Sequence, residues 1–403
     1  MFNRQVFQFP IIYTFERPKV AIGWGVHETV ADECKAANIK KALIVTTGLK
    51  GTGIVEQVNS ILNGNGISTA IFDKVTSNPK DHEVMEGYKV YKEAECDGVI
   101  SVGGGSSHDC SKAIRAVATY DGMYVWDIVK PPTEGWMKAM EKYKRVTIPQ
   151  ISINTTAGTA SEAFIGASIH SSITGDKGSV DVKGGTPTVA LIDPLFVRMM
   201  PATYAAWTGW DAFTHAYESF LNRIQVPGTH AMQLGTMKLI AENIREFATN
   251  RMNHVACERM CHAESMAGVG LILGGSVGIV HGLANAIGGV TDGHHGFINA
   301  ILTSAAVRYN APACPDLFAE MAGALGIDTR SMTRMQAVDR CLDEIDRMLS
   351  DLKIQSGHLK EQLGMKPEDI KFVVDQYSKG FLKETNPAEF NYDEVTKFLE
   401  DLM

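Results

Sequence analysis

Along the first half of the chain, short runs dense in β-branched and apolar residues alternate with stretches whose apolar positions recur at helical spacing. The strand-like runs are KALIVTT (41–47), STAIFDKV (68–75), DGVISVGGG (97–105), RVTIPQISI (145–153) and TVALIDP (188–194). Helical stretches lie between most of them, EVMEGYKVYKEAE before the third being an example. Such alternation predicts a parallel sheet covered on both faces, with ligands bound at the carboxyl ends of its strands. After Asp193-Pro194 the strand pattern stops. Leu234, Met237, Ile240, Ile244 and Phe247 recur at three- and four-residue spacing, which is one face of a helix. SMTRMQAVDRCLDEIDRMLSDLK and NYDEVTKFLEDLM are amphipathic in the same way, and Thr385-Asn386-Pro387 reads as a turn before the last helix. The pattern therefore divides into an α/β domain over 1–194 and an all-helical domain over 195–403, with no internal repeat.

Composition narrows the class. The 403 residues exceed one ordinary core, in keeping with two domains. A net charge of −8 and the lack of any Lys/Arg-rich block argue against a nucleic-acid partner. Seven scattered cysteines without a C-x-x-C read as reduced thiols of a cytoplasmic protein. The N-terminal stretch has no continuous apolar region, so no signal peptide is expected. MAGVGLILGGSVGIVHGLANAIGGV (266–290) is long enough to span a bilayer. Its glycine density, His281 and the nearby Glu264 instead predict a buried helix or helix pair, and no membrane partner.

Three segments carry chemistry. In SVGGGSSHDC, Gly103, Gly104 and Gly105 end a strand and a helix is expected from about Ser107. Consecutive glycines allow close backbone approach, and a helix N-terminus favours anions, which together suit a diphosphate. The competing reading is a plain flexible turn, and the G-x-G-x-x-G fingerprint is absent. ISINTTAGTASE places Thr155, Thr156, Thr159 and Ser161 around Gly158 after another strand, as an ordinary hydroxyl turn or as hydrogen-bonding groups for a polar ligand. In GWDAFTHAYESF, Asp211 and His215 share one face of an apolar helix. By itself this pair is equally a cap or a satisfied core hydrogen bond. Set beside His281 and His295, it supplies one carboxylate and three imidazoles, a donor set for Fe²⁺ or Zn²⁺.

These motifs occur in the order found in the iron-containing (group III) alcohol dehydrogenases, which the chain resembles over essentially its whole length. The shared features are Gly103 to Ser106 followed by Asp109, Thr155 to Glu162, Asp211 to Glu218, and His281 paired with His295 fourteen positions on. TTGLKGTG, SNPKD and DGHHG look most like the methanol dehydrogenase and nicotinoprotein branches. The resemblance implies a dehydroquinate synthase-like architecture and a divalent metal held by Asp211, His215, His281 and His295. The metal would be Fe²⁺ first, with Zn²⁺ or Mn²⁺ as alternatives. It also implies NAD or NADP in a cleft between the domains, its diphosphate on Gly103, Gly104, Gly105 and Ser106. Thr47, Lys50, Asn78, Asp109, Thr155, Thr156, Thr159 and Lys177 would line the rest. The implied reaction is hydride transfer between a small primary alcohol, a short diol or a substituted aldehyde and nicotinamide, in a homodimer or larger homo-oligomer.

Two positions depart from the family pattern. Asn285 stands where relatives often carry a histidine, and asparagine is no general acid or base near neutral pH. The proton would then leave through water or His294. Thr47 stands where many NAD-using relatives have an aspartate that repels a 2′-phosphate, and Lys50 is close by in sequence, so the chain leans toward accepting NADP. Two other readings stay open: a non-redox lyase of the dehydroquinate synthase type, and a catalytically impaired metal-binding relative, favoured by Asn285.

Overall fold

The computed structural model describes residues 18–129 and 144–403. They fall into two compact units that meet in sequence at Met200 and Pro201. The first is built on a six-stranded sheet in the order β1-β8-β5-β4-β2-β3, every neighbouring pair parallel. Its strands are β1 (Lys19–Ile22), β2 (Lys41–Thr46), β3 (Ser68–Phe72), β4 (Gly98–Gly103), β5 (Gln150–Asn154) and β8 (Val189–Ile192). Helices α1 (Val30–Ala36), α2 (Ile54–Gly64), α3 (Asp81–Glu93) and α4 (Gly105–Thr119) alternate with them. Central strands β4, β5 and β8 are buried at every residue, as a sheet covered on both faces requires, whereas edge strands β1 and β3 keep exposed positions.

The five expected strands all form, with shifted ends. The fourth begins only at Gln150, because Pro149 has no N–H to give the ladder. The third stops at Gly103, whose φ of 147° only glycine adopts readily, and α4 starts at Gly105 rather than near Ser107. The fifth ends where Asp193 turns its carboxylate back to accept from the Leu195, His27 and Gly25 amides. Strand β1 and an antiparallel hairpin of β6 (Ala167–His170) and β7 (Lys177–Val180) lie outside the five expected; each is four residues with polar positions among them, unlike the equally short but all-apolar β8.

The second unit is helical among its described residues. Its long helices are α5 (Ala202–Leu221), α6 (Pro227–Thr249), α7 (His254–Ile272), α8 (Ile279–Thr291), α9 (His295–Asn310) and α10 (Arg334–Asp351), and the chain closes with α11 (Tyr392–Glu400). The 266–290 stretch is a helix pair, broken between Ile272 and Ile279. No described helix is long and apolar enough to cross a membrane. All seven cysteines are buried free thiols.

A buried polar cluster ties α4 to the sheet. Ser101 Oγ lies 2.8 Å from His108 Nδ1 and donates to Ser152 Oγ at 3.0 Å, and Gln150 Nε2 donates to both hydroxyls. Burial, seconded by the Lys112 ammonium, pushes the His108 imidazole down from 6.5 to about 4. Between those two values the unfolded chain takes up a proton at this residue and the folded chain does not, so stability falls as pH drops from 6.5 toward 4. The slope from this group is about 1.4 kcal/mol per pH unit. Thermal melting of chelator-treated protein checks this: His108→Asn should flatten the decline across that window, and an unchanged decline contradicts the assignment.

Candidate metal and cofactor sites

Helix α5 presents Trp207, Asp211, His215 and Glu218 at three- and four-residue spacing, hence on one face. Glu218 organises the start of α8. Its carboxylate accepts from the Val280 amide at 2.7 Å and the His281 amide at 3.3 Å, two N–H groups that the first turn cannot satisfy internally. It also lies 2.7 Å from His281 Nδ1. That bond fixes the ring so that Nε2 points to Asp211 Oδ1, 3.6 Å away. The Thr385-Asn386-Pro387 turn holds the same helix start. Asn386 Oδ1 accepts from the Ile279 amide at 3.2 Å, and Thr385 Oγ1 donates to the Val277 carbonyl at 2.7 Å.

Helix α9 delivers His295 from its first position, with Nε2 3.8 Å from Asp211 Oδ1. Gly296 permits this approach, since a Cβ there would stand 2.4 Å from the Trp207 carbonyl oxygen. Asp211, His281 and His295 thus offer one donor atom each, all within 4.8 Å of one another. His215 stands beside that trio, its ring centroid 4.4 Å from that of His281. Burial by itself raises the Asp211 carboxyl, but His215, His281 and His295 outweigh it and hold it well below the usual carboxylate range. For His281, burial lowers the imidazole, yet Asp211 and Glu218 prevail and push it up to about 9. A cation held by His281 would take the place of that proton. One ionised carboxylate with converging imidazoles, in a pocket that already favours positive charge, fits a borderline divalent ion.

Asn285 lies one turn beyond His281 on α8, half-buried. His294 occupies the N-cap position of α9 without a side-chain cap bond and packs edge-on to Tyr204 at 5.3 Å and against Trp207 at 5.2 Å, and Phe297 lies 4.7 Å from Trp207. Burial lowers the His294 imidazole.

In the other unit the glycine loop meets the threonine loop. A Cβ on Gly104 would fall 2.7 Å from the Thr156 methyl, and one on Gly105 would fall 2.9 Å from the Thr159 methyl. Asn154 folds the threonine loop by accepting from the Thr156 amide at 3.1 Å, and the Thr155 amide donates to the Gly103 carbonyl at 3.0 Å. These loops follow β4 and β5, and Thr47 follows β2. The sheet order reverses between β2 and β4, where open α/β sheets bind ligands. Ser106 occupies the first turn of α4, which has no side-chain cap. Lys50 is exposed, and Asn78 is buried with a φ of 53° just before α3. Lys177 pairs with His170 across the hairpin. Asp109 is engaged internally, 3.0 Å from Lys112 Nζ and accepting from the Ser168 amide at 3.1 Å.

Sequence reasoning quoted Glu218 within its motif but gave it no role, and passed over Asn299. The signal was available for both. Glu218 is a carboxylate three positions after His215 in an otherwise apolar helix, and Asn299 follows His295 by one turn.

Comparison with known proteins agrees with this geometry. Residues 18–194 match the iron-containing alcohol dehydrogenase profile, and residues 205–403 match the C-terminal profile of the Fe-containing alcohol dehydrogenase family. Methanol:N,N-dimethyl-4-nitrosoaniline oxidoreductase of Rhodococcus erythropolis is 35% identical over 87% of this chain and 81% of its own. NAD-dependent methanol dehydrogenase of Bacillus methanolicus is 32% identical over 96% of this chain and 99% of its own. A crystal structure of 1,3-propanediol oxidoreductase superposes with a TM-score of 0.88 at 31% identity, covering 98% of this chain and all of that one. The chain belongs to the iron-containing alcohol dehydrogenase family, and its activity is that of an alcohol dehydrogenase.

The role of Glu218 gives a direct expectation. Glu218→Gln removes the charge that fixes the His281 ring, so divalent-ion affinity should fall on the order of 10- to 100-fold in chelator competition. Wild-type affinity in that variant would show that His281 needs no such partner.

Proposed function

We propose that the chain is a metal-dependent NAD(P)-linked dehydrogenase of small primary alcohols, also able to reduce the corresponding aldehydes. The observation that carries the reading is the convergence of Asp211, His281 and His295 within 4.8 Å. These residues, with His215 alongside, would hold the ion, Fe²⁺ before Zn²⁺ or Mn²⁺, and Gly103 to Ser106 with Thr155, Thr156 and Thr159 would cradle the nicotinamide dinucleotide. When bound, the ion supplies Lewis acidity toward the substrate oxygen and the nicotinamide supplies the hydride acceptor.

The chain's own groups do the positioning. Glu218 keeps His281 Nε2 directed inward. Asn285 hydrogen-bonds the substrate but moves no proton. The proton that the alcohol gives up leaves through water or through His294, whose imidazole burial lowers. Trp207, His294 and Phe297 form a continuous aromatic wall beside the donor set, which favours short substrates. The relatives that act on methanol and 1,3-propanediol support the same size class. Thr47 sets no carboxylate against a 2′-phosphate, so NADP is accepted along with NAD.

Methanol, ethanol, 1,3-propanediol and their aldehydes, assayed in both directions with both cofactors, test the proposal. Short primary alcohols should produce reduced nicotinamide. A metal-loaded protein inert toward the whole panel would favour the impaired relative that Asn285 points to. Thr47→Asp should cut the NADP/NAD ratio of kcat/KM roughly tenfold or more through like-charge repulsion. An unchanged ratio places cofactor choice elsewhere.

A further inference from the structure

Asn299 sits on α9, one turn beyond His295, and is fully buried. Its amide nitrogen lies 2.6 Å from Asp211 Oδ1, 3.3 Å from His281 Nε2 and 3.3 Å from His295 Nε2. Those are the three atoms suited to a cation, one from each of three helices. The other end of the same amide, Oδ1, is buried without a hydrogen-bond partner. Leaving a buried carbonyl unpaired is destabilising. The side chain tolerates that cost only because its nitrogen end is committed to the acidic centre, and an unsatisfied buried group of this kind marks a functional constraint.

The main chain around Asn299 is equally fixed. Thr303 Oγ1 donates to the Asn299 carbonyl at 2.7 Å and accepts from Trp210 Nε1 at 3.0 Å. Trp210 is the neighbour of Asp211 on α5. The helix that carries Asn299 and His295 is thereby locked to the helix that carries Asp211, with the amide between them.

We propose that Asn299 is a positioning residue of the metal centre. Its amide donates to Asp211 Oδ1 and sets the rotation of that carboxylate, so that the aspartate and the two imidazoles face one point before an ion arrives and stay so afterwards. The proposal rests on the metal-dependent reading above, and concerns how the donor set is held, not which reaction follows. Asn299 touches neither substrate nor nicotinamide in this account.

The test is Zn²⁺ affinity of the full-length protein by chelator competition, with dissociation rate as a second readout. The variants are Asn299→Ala, which removes the amide, and Asn299→Leu, which keeps the branched outline of the side chain in a larger form without its donors. Both should weaken Zn²⁺ binding on the order of 10- to 100-fold and speed its release, as loss of a group that orients metal ligands does. A role confined to packing predicts a lowered melting temperature with and without Zn²⁺ alike, and wild-type affinity in Asn299→Leu; that result overturns the proposal. Tighter binding in Asn299→Ala overturns it too, since the amide would then be filler that the ion displaces. A wild-type chain that retains no ion overturns the metal-dependent reading and this proposal together. A wild-type chain that holds its ion no more tightly than both variants overturns only the role of Asn299.

Discussion

The second unit depends on a buried carboxylate placed at the start of a helix. Glu218 satisfies two backbone amides of α8 and the outer nitrogen of His281 at once. The charge is tolerated inside because each oxygen is occupied and the helix dipole favours it there. From that anchor the rest follows. His281 can present only Nε2 inward, Asp211 on the same face of α5 two turns before Glu218 receives it, and α9 is brought against α5 at Gly296, where no side chain intervenes. The Asn386 turn near the end of the chain braces the same helix start, which explains why a short polar motif so far along the sequence belongs to the site.

The first unit solves a different problem with the same economy. Strands buried on both faces leave few places for polar groups, and apart from the Ser101–Ser152 cluster under α4 those places are the strand ends. There the glycine loop after β4 and the threonine loop after β5 pack so closely that a side chain on Gly104 or Gly105 would collide with a threonine. Thr156 is held in turn by Asn154, the last residue of β5. Glycine is needed here for space at Gly104 and Gly105 and for backbone conformation at Gly103.

Much of this was legible in the sequence because its signals are periodic or chemical. The alternation of strands and helices, the change of pattern after Asp193-Pro194, and the pairing of Asp211 with distant histidines all announce themselves. Strand ends were less legible, since a single Pro149 or a positive φ at Gly103 decides them. Strand β1 and the β6–β7 hairpin escaped because each mixes polar residues into four positions, whereas β8, equally short, is an all-apolar run. Asp109 was expected among the cofactor contacts, and the structure commits its carboxylate to Lys112 and the Ser168 amide. Glu218 and Asn299 were passed over for one reason. Groups able to bind an ion directly carry a recognisable signal, whereas the groups that aim them reach the ion only through another side chain.

The most direct test of the central claim is reconstitution. Metal-free protein would be titrated with Fe²⁺ under anaerobic conditions while bound iron and the NAD(P)-linked oxidation of a short primary alcohol are followed together. Activity should rise in proportion to bound iron and level off at one ion per chain. Full turnover in the metal-free protein would contradict the account.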